Sequence, residues 1–128
     1  GLAIEGEIAA GGLVEPFSDE KTRLDLADLF SQPDCYVLRV VGDSMIEDLI
    51  NEGDYVVMRS LDDASKVKDG DIVAARVSGY GTTLKHFYQQ QEKITLKPAN
   101  QKYEPIKAEA ENVEIQGILV GVWRSVAN

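Results

Sequence analysis

Tyr36-Val37-Leu38-Arg39-Val40-Val41-Gly42-Asp43-Ser44-Met45 is the stretch that decides the fold. Its first six residues are aromatic or aliphatic apart from one arginine, which is the composition of a β-strand. Gly42-Asp43 then ends the strand in a tight turn, and the patterned residues 46–50 follow as a short helical segment. A serine at that junction has two readings. It can be a nucleophile whose developing oxyanion faces free N–H groups at the helix start. Alternatively, Ser44-Met45-Ile46-Glu47 fits the S-x-x-E capping box, in which serine and glutamate only satisfy orphan N–H groups. The window by itself favours the cap, because caps far outnumber nucleophiles.

Outward from this stretch the period of two continues. Residues 54–59, 72–77, 82–88, 93–97 and 113–124 are rich in Val, Ile, Tyr and Thr and read as strands. Turn chemistry separates them at Asn51-Glu52-Gly53-Asp54, Lys68-Asp69-Gly70-Asp71, Ser78-Gly79-Tyr80-Gly81 and Lys97-Pro98-Ala99-Asn100. The expected fold is mainly β, a single compact domain of twisted antiparallel sheets with short helical turns. The segment from Glu114 to Arg124 is apolar on both alternating faces, with Ile115, Leu119 and Trp123 on one and Ile118, Val120 and Val122 on the other. Such a strand is central in a packed sheet or lies in a subunit interface. Gly117 and Gly121, four residues apart, are expected to share a face and admit another backbone.

Residues 1–34 differ from the remainder. A short strand is expected around Ile8, followed by the small residues Ala9-Ala10-Gly11-Gly12, which add little to a core and leave an extended backbone open to close approach. A Gly-rich connection between strands explains that composition equally well. Leu24, Leu26, Ala27, Leu29 and Phe30 then fit an amphipathic turn of helix before Pro33, with Asp25 and Asp28 turned to water.

The 128 residues suffice for one domain with a hydrophobic core. A net charge of -9 argues against a nucleic-acid surface, where Lys and Arg must replace condensed counterions. One cysteine, Cys35, and one histidine provide neither an internal disulfide nor a zinc-ligand cluster, so no metal or cofactor is expected. Cys35 reads as a small buried apolar residue. No apolar run has the roughly 18 residues of a membrane span, and no basic signal-peptide start is present, so a soluble cytoplasmic protein is expected.

Lys85 is the second residue of interest. Alternation in Thr82-Thr83-Leu84-Lys85-His86-Phe87 puts Thr83, Lys85 and Phe87 on one face and Leu84 and His86 on the other, so Lys85 and His86 do not both serve one serine. A solvated strand lysine that guards an edge is the plainer reading of Lys85. His86 with an aspartate would instead complete a Ser-His-Asp triad.

Gly42-Asp43-Ser44-Met45, Thr83-Leu84-Lys85, and Lys97-Pro98-Ala99-Asn100 followed by Tyr103 and Pro105-Ile106 together resemble the C-terminal domain of LexA-type repressors. That peptidase family includes the UmuD mutagenesis proteins and self-cleaving phage repressors. The resemblance runs from about Ile4 to Arg124 and includes Ala9-Ala10-Gly11, which is similar to the LexA self-cleavage segment. It implies a LexA/signal-peptidase-like fold in which Ser44 is the nucleophile and Lys85 its general base. Ala10-Gly11 becomes the scissile bond, and the backbone N–H groups of Asp43 and Ser44 the oxyanion donors. Residues 1–34 would carry the cleavage site, packed on or looping over a catalytic and dimerisation domain of residues 35–128. The resemblance implies a chain without the N-terminal DNA-binding domain, so no direct DNA binding is expected of it.

The resemblance further implies a homodimer through the strand from Glu114 to Arg124, and RecA filament on single-stranded DNA as co-protease in the DNA-damage (SOS) response. The chain departs from the family pattern at Gly12, where an acidic residue is found, and at His86, where arginine is common. Two other readings are a UmuD-type protein acting with a translesion polymerase and a catalytically silent dimerisation domain. Bacterial signal peptidase also uses a Ser-Lys pair, but Met45-Ile46-Glu47 and the lack of an anchor argue against it. The Ser-Lys chemistry makes one physical demand: a lysine with an ordinary pKa near 10.4 is protonated at neutral pH and cannot accept the serine proton. Bringing it to about 7 requires burial that disfavours the charge by roughly 4 to 5 kcal/mol.

Overall fold

The computed structural model describes residues 1–4, 23–29 and 33–126. The chain divides into two units, Gly1–Pro33 and Asp34–Asn128. In the first, β1 (Leu2–Ala3) and β2 (Arg23–Leu24) pair antiparallel, and α1 (Leu26–Leu29) follows. Leu24 therefore pairs with Leu2 in a sheet and does not join the helical turn. Asp25 accepts the Ala27 N–H at 3.0 Å in an exposed hydrogen bond and so caps the helix. The strand expected around Ile8, the scissile pair Ala10-Gly11, Gly12 and Phe30 lie outside the described residues.

The second unit is built on one antiparallel sheet. Its strands are β3 (Cys35–Arg39), β4 (Tyr55–Arg59), β5 (Ile72–Val77), β6 (Gly81–Gln90), β7 (Lys93–Lys97), β8 (Ile106–Glu109) and β9 (Val113–Trp123). Their order is β3-β4-β9-β5-β6-β7-β8, so the protein is mainly β with only short helical turns, as its sequence predicts. Consecutive strands pair as hairpins except that β9 inserts between β4 and β5. A strand placed there packs on both faces, which is why it is apolar on both.

β5 shows how the core is divided. Ile72 and Ala74 pack into one apolar cluster with Met45, Ile50, Val56, Met58 and Leu84. Val73, Ala75 and Val77 point the other way, into a second cluster with Phe87, Ile94 and Leu96. The period-two alternation thus feeds both faces of the sheet. Met45 and Ile50, buried in the first cluster, flank the turn that follows β3 and anchor it to the sheet.

Two bulges break the alternation expected of β9. Ala74 faces Gly117 whereas Ala75 faces Ile115, leaving Gln116 as an extra residue, and Val57 faces Gly121 whereas Met58 faces Leu119, leaving Val120 extra. Each insertion flips the side-chain parity beyond it. Ile115 and Ile118 consequently join the second cluster while Leu119 joins the first, and Gly117 and Gly121 fall on opposite faces of the strand. The backbone approached at Gly117 is internal: a Cβ there would lie 2.6 Å from Tyr36 Oη and 2.9 Å from the Arg59 carbonyl. Tyr36 donates its hydroxyl to the Gln116 carbonyl at 2.9 Å and so ties β3 across β4 to the bulge.

Candidate active site

β3 runs out at Arg39, and the chain must reverse before β4 begins at Tyr55. Val40 and Asp54 prolong the pairing through Val40 N–H to Asp54 carbonyl, 2.8 Å, and Gly53 N–H to Val40 carbonyl, 2.9 Å. Gly42 then takes φ = 88°, a conformation that favours glycine, and donates its N–H to Glu52 Oε1 at 3.2 Å. Ser44 follows directly. The helical segment is only a three-residue 3-10 turn, Ile46–Asp48, with Met45 at its N-cap and no side-chain cap.

The capping box does not form. Glu47 Oε2 instead accepts the N–H of Gln101 at 3.0 Å, and Ser44 Oγ accepts a hydrogen bond from Lys85 Nζ at 3.0 Å. A turn this short brings little helix dipole to Ser44. Any stabilisation of an oxyanion there rests on individual amides. Among the described residues no hydrogen bond engages the N–H of Asp43 or of Ser44, the two expected oxyanion donors.

Lys85 reaches Ser44 from β6. The plainer reading, a solvated edge lysine, is overturned: its residue exposure is 8%, and β6 lies between β5 and β7. Nζ also donates to Thr83 Oγ1 at 2.5 Å and to the Leu84 carbonyl at 3.2 Å. The Thr83 contact follows from the shared face that alternation predicts. Burial pulls the Lys85 pKa below its ordinary 10.5. The neutral amine, which has a lone pair for the Ser44 proton, is therefore populated at lower pH than for a surface lysine. His86 is directed elsewhere, with Nδ1 3.0 Å from the Gly70 carbonyl and Nε2 against Asp48, so Ser44 has no histidine base.

Ser44 and Lys85 both open on a cleft of about 320 Å³ lined by Leu38, Val40, Met45, Ala74, Thr82 and Leu84. Its apolar wall keeps water from solvating the ammonium form of Lys85. Besides Ser44 and Lys85, the polar side chains that line it are those of Arg39, Thr82 and Thr83.

Residues 99–103 grip the serine turn. Asn100 Nδ2 donates to the Asp43 carbonyl at 2.7 Å, and Glu47 N–H donates to the Ala99 carbonyl at 2.7 Å. Tyr103 Oη donates to Asp43 Oδ1 at 2.5 Å, and Lys102 Nζ lies 3.6 Å from Asp43 Oδ2. The Tyr103 hydroxyl, then Lys102, hold the Asp43 carboxyl below the usual carboxylate range. In the sequence Asn100 and Tyr103 stand out as motif residues without a task. Only the spacing of the motif marked them, because they meet Asp43 across 57 and 60 residues of chain.

The sequence model of the Peptidase S24-like family matches residues 3–120. The chain belongs to that family. Its relatives are LexA repressors, and its fold is that of their C-terminal domain. The transcription regulator LexA of Synechocystis sp. is 38% identical over 125 residues, 98% of this chain and 62% of that protein. LexA repressors of Koribacter versatilis and Pseudothermotoga lettingae are 39% and 42% identical, over 97% and 96% of this chain. The chain spans 57% and 61% of those two proteins. The S24 match makes the domain one of serine-peptidase type. No helix among the described residues is long and apolar enough to cross a membrane.

Proposed function

We propose that this chain is the self-cleaving C-terminal domain of a LexA-like transcriptional repressor, with Ser44 and Lys85 as its catalytic dyad. The observation that carries the proposal is the 3.0 Å contact between Lys85 Nζ and Ser44 Oγ in a site where Lys85 is 8% exposed. Neutral Lys85 takes the Ser44 hydroxyl proton as Oγ attacks the Ala10 carbonyl carbon. The tetrahedral oxyanion is met by the N–H groups of Asp43 and Ser44. Collapse breaks the Ala10–Gly11 bond, and protonated Lys85 passes its proton to the departing Gly11 nitrogen. Water, deprotonated by the same amine, then hydrolyses the Ser44–Ala10 ester.

Cleavage within one chain needs little binding energy, because the tether supplies a high effective concentration. Small residues at positions 9–12 let the backbone bend into a narrow cleft. The same tether demands restraint, and we infer an equilibrium between an undocked segment and a docked, cleavable one, shifted towards cleavage by RecA filament on single-stranded DNA. Cutting would part this dimerising domain from a DNA-binding domain, and the loss of two-site avidity would release the operator in the SOS response.

Incubation at mildly alkaline pH followed by intact-mass measurement tests the reading. The expected product is a single cut between Ala10 and Gly11, slowed at least about 1,000-fold by Ser44→Ala and by Lys85→Ala. Equal cutting by either variant, or a cut elsewhere, contradicts it.

A further inference from the structure

The geometry points to Asn100 as a positioning residue that aims the Ser44 N–H at the reacting carbonyl; this rests on the self-cleavage reading above. The 43–44 peptide is trans and planar, so its C=O and N–H point in opposite directions. Fixing the Asp43 carbonyl fixes the Ser44 N–H. That carbonyl is held twice, by Asn100 Nδ2 at 2.7 Å and by the Ile46 N–H at 3.2 Å. The shorter bond is the one from Asn100.

Asn100 is itself well placed to hold a fixed direction. It is buried at 7% exposure, and its Oδ1 accepts the Lys102 N–H at 2.9 Å. With the oxygen engaged there, the amide must present its NH₂ to Asp43, so the two ends of the side chain cannot exchange roles. The Ala99 carbonyl and Gln101 N–H beside it bind Glu47, which fixes the same loop to the far side of the serine turn. Lys85 holds the Ser44 hydroxyl and Asn100 the Ser44 peptide, so nucleophile and oxyanion donor are oriented by separate elements.

Substitution Asn100→Asp tests this with little change of shape. The retained Oδ1 still accepts the Lys102 N–H, but the second oxygen faces the Asp43 carbonyl and cannot donate. The first-order rate of self-cleavage should fall about 100-fold at its high-pH plateau, the usual effect of losing an oxyanion donor. Asn100→Ala adds no charge, so its plateau should fall as far while its pH midpoint stays at the wild-type value; the new carboxylate of Asn100→Asp should move the midpoint up by favouring charged Lys85. In Asn100→Ala the Ser44 amide ¹H–¹⁵N signal should move while the Lys85 signal stays. A plateau within threefold of wild type overturns the inference. So does a midpoint that shifts in Asn100→Ala, or loss of the folded state in both variants, since either makes Asn100 a structural residue. Wild-type protein that does not cleave at all counts against the self-cleavage reading instead, a result distinct from any difference between variants.

Discussion

Lys85 is where chemistry and stability conflict. Its folded-state pKa lies below 10.5 because of burial. Between that folded value and 10.5 the unfolded chain binds a proton that the folded chain does not, so stability rises with pH across the window. Below the window the cost of burying the ammonium is present in full. Lys85→Met, which fills similar space without a charge, should therefore stabilise the domain at pH 7 by on the order of 1 kcal/mol, the usual yield of one stabilising substitution. The gain should shrink as pH approaches 10.5. Urea unfolding of both proteins at pH 7 and pH 10 measures it, and a destabilised Lys85→Met at neutral pH would show that the amine's hydrogen bonds outweigh its desolvation. Asp54, at 1% exposure, shows the opposite sign. Arg124 binds both its oxygens, at 2.7 and 2.6 Å, and with the Asn51 N–H holds its pKa below the ordinary carboxylate value. That contribution is complete above an ordinary aspartate pKa and is lost as pH falls through the lowered folded value. Arg124→Ala should move the acid-unfolding midpoint to higher pH, read by circular dichroism.

Among the elements, β9 shows most plainly what the sequence reveals and what it withholds. Its central position is legible in residues 113–124 because apolar side chains occupy both alternating sets. Its bulges at Gln116 and Val120 are not, since they exist only in the register against β4 and β5. β8 was not anticipated, because Ile106-Lys107-Ala108-Glu109 is half polar and pairs with one neighbour only. The serine turn is legible as a turn, but the capping box its residues suggest does not form, because Glu47 finds the Gln101 N–H, a partner 54 residues away. Motif order alone singles out Ser44 and Lys85, which the fold brings to 3.0 Å, whereas the contact of Asn100 with the Asp43 carbonyl exists only in the fold. The bulge beside Gly117 can be tested by substitution. Adding a methyl group 2.6 Å from Tyr36 Oη should destabilise Gly117→Ala by about 1–3 kcal/mol, and pairing it with Tyr36→Phe should recover part of the loss. Additive losses in urea titrations of the two single variants and the double variant would remove Tyr36 from the explanation.

For the whole molecule, the sheet leaves apolar surface exposed on both of its faces at the outer end of β9. Val120, Val122 and Trp123 are 39–45% exposed, and Trp123 packs against Tyr55 with ring centroids 5.8 Å apart. We propose that a second copy covers this surface, as expected for the strand from Glu114 to Arg124. Val122→Glu should then convert a dimer to a monomer in sedimentation equilibrium while leaving the intramolecular cleavage rate within about twofold, because nucleophile, base and substrate belong to one chain. An unchanged mass would place the dimer contact elsewhere.

In the proposed mechanism a buried, readily deprotonated Lys85 activates Ser44, and the pH profile of first-order self-cleavage is its sharpest test. The predicted profile rises tenfold per pH unit, as the neutral fraction of Lys85 does, and levels off clearly below 10.5. A rate independent of pH, or one still rising with unit slope through pH 10.5, would contradict it.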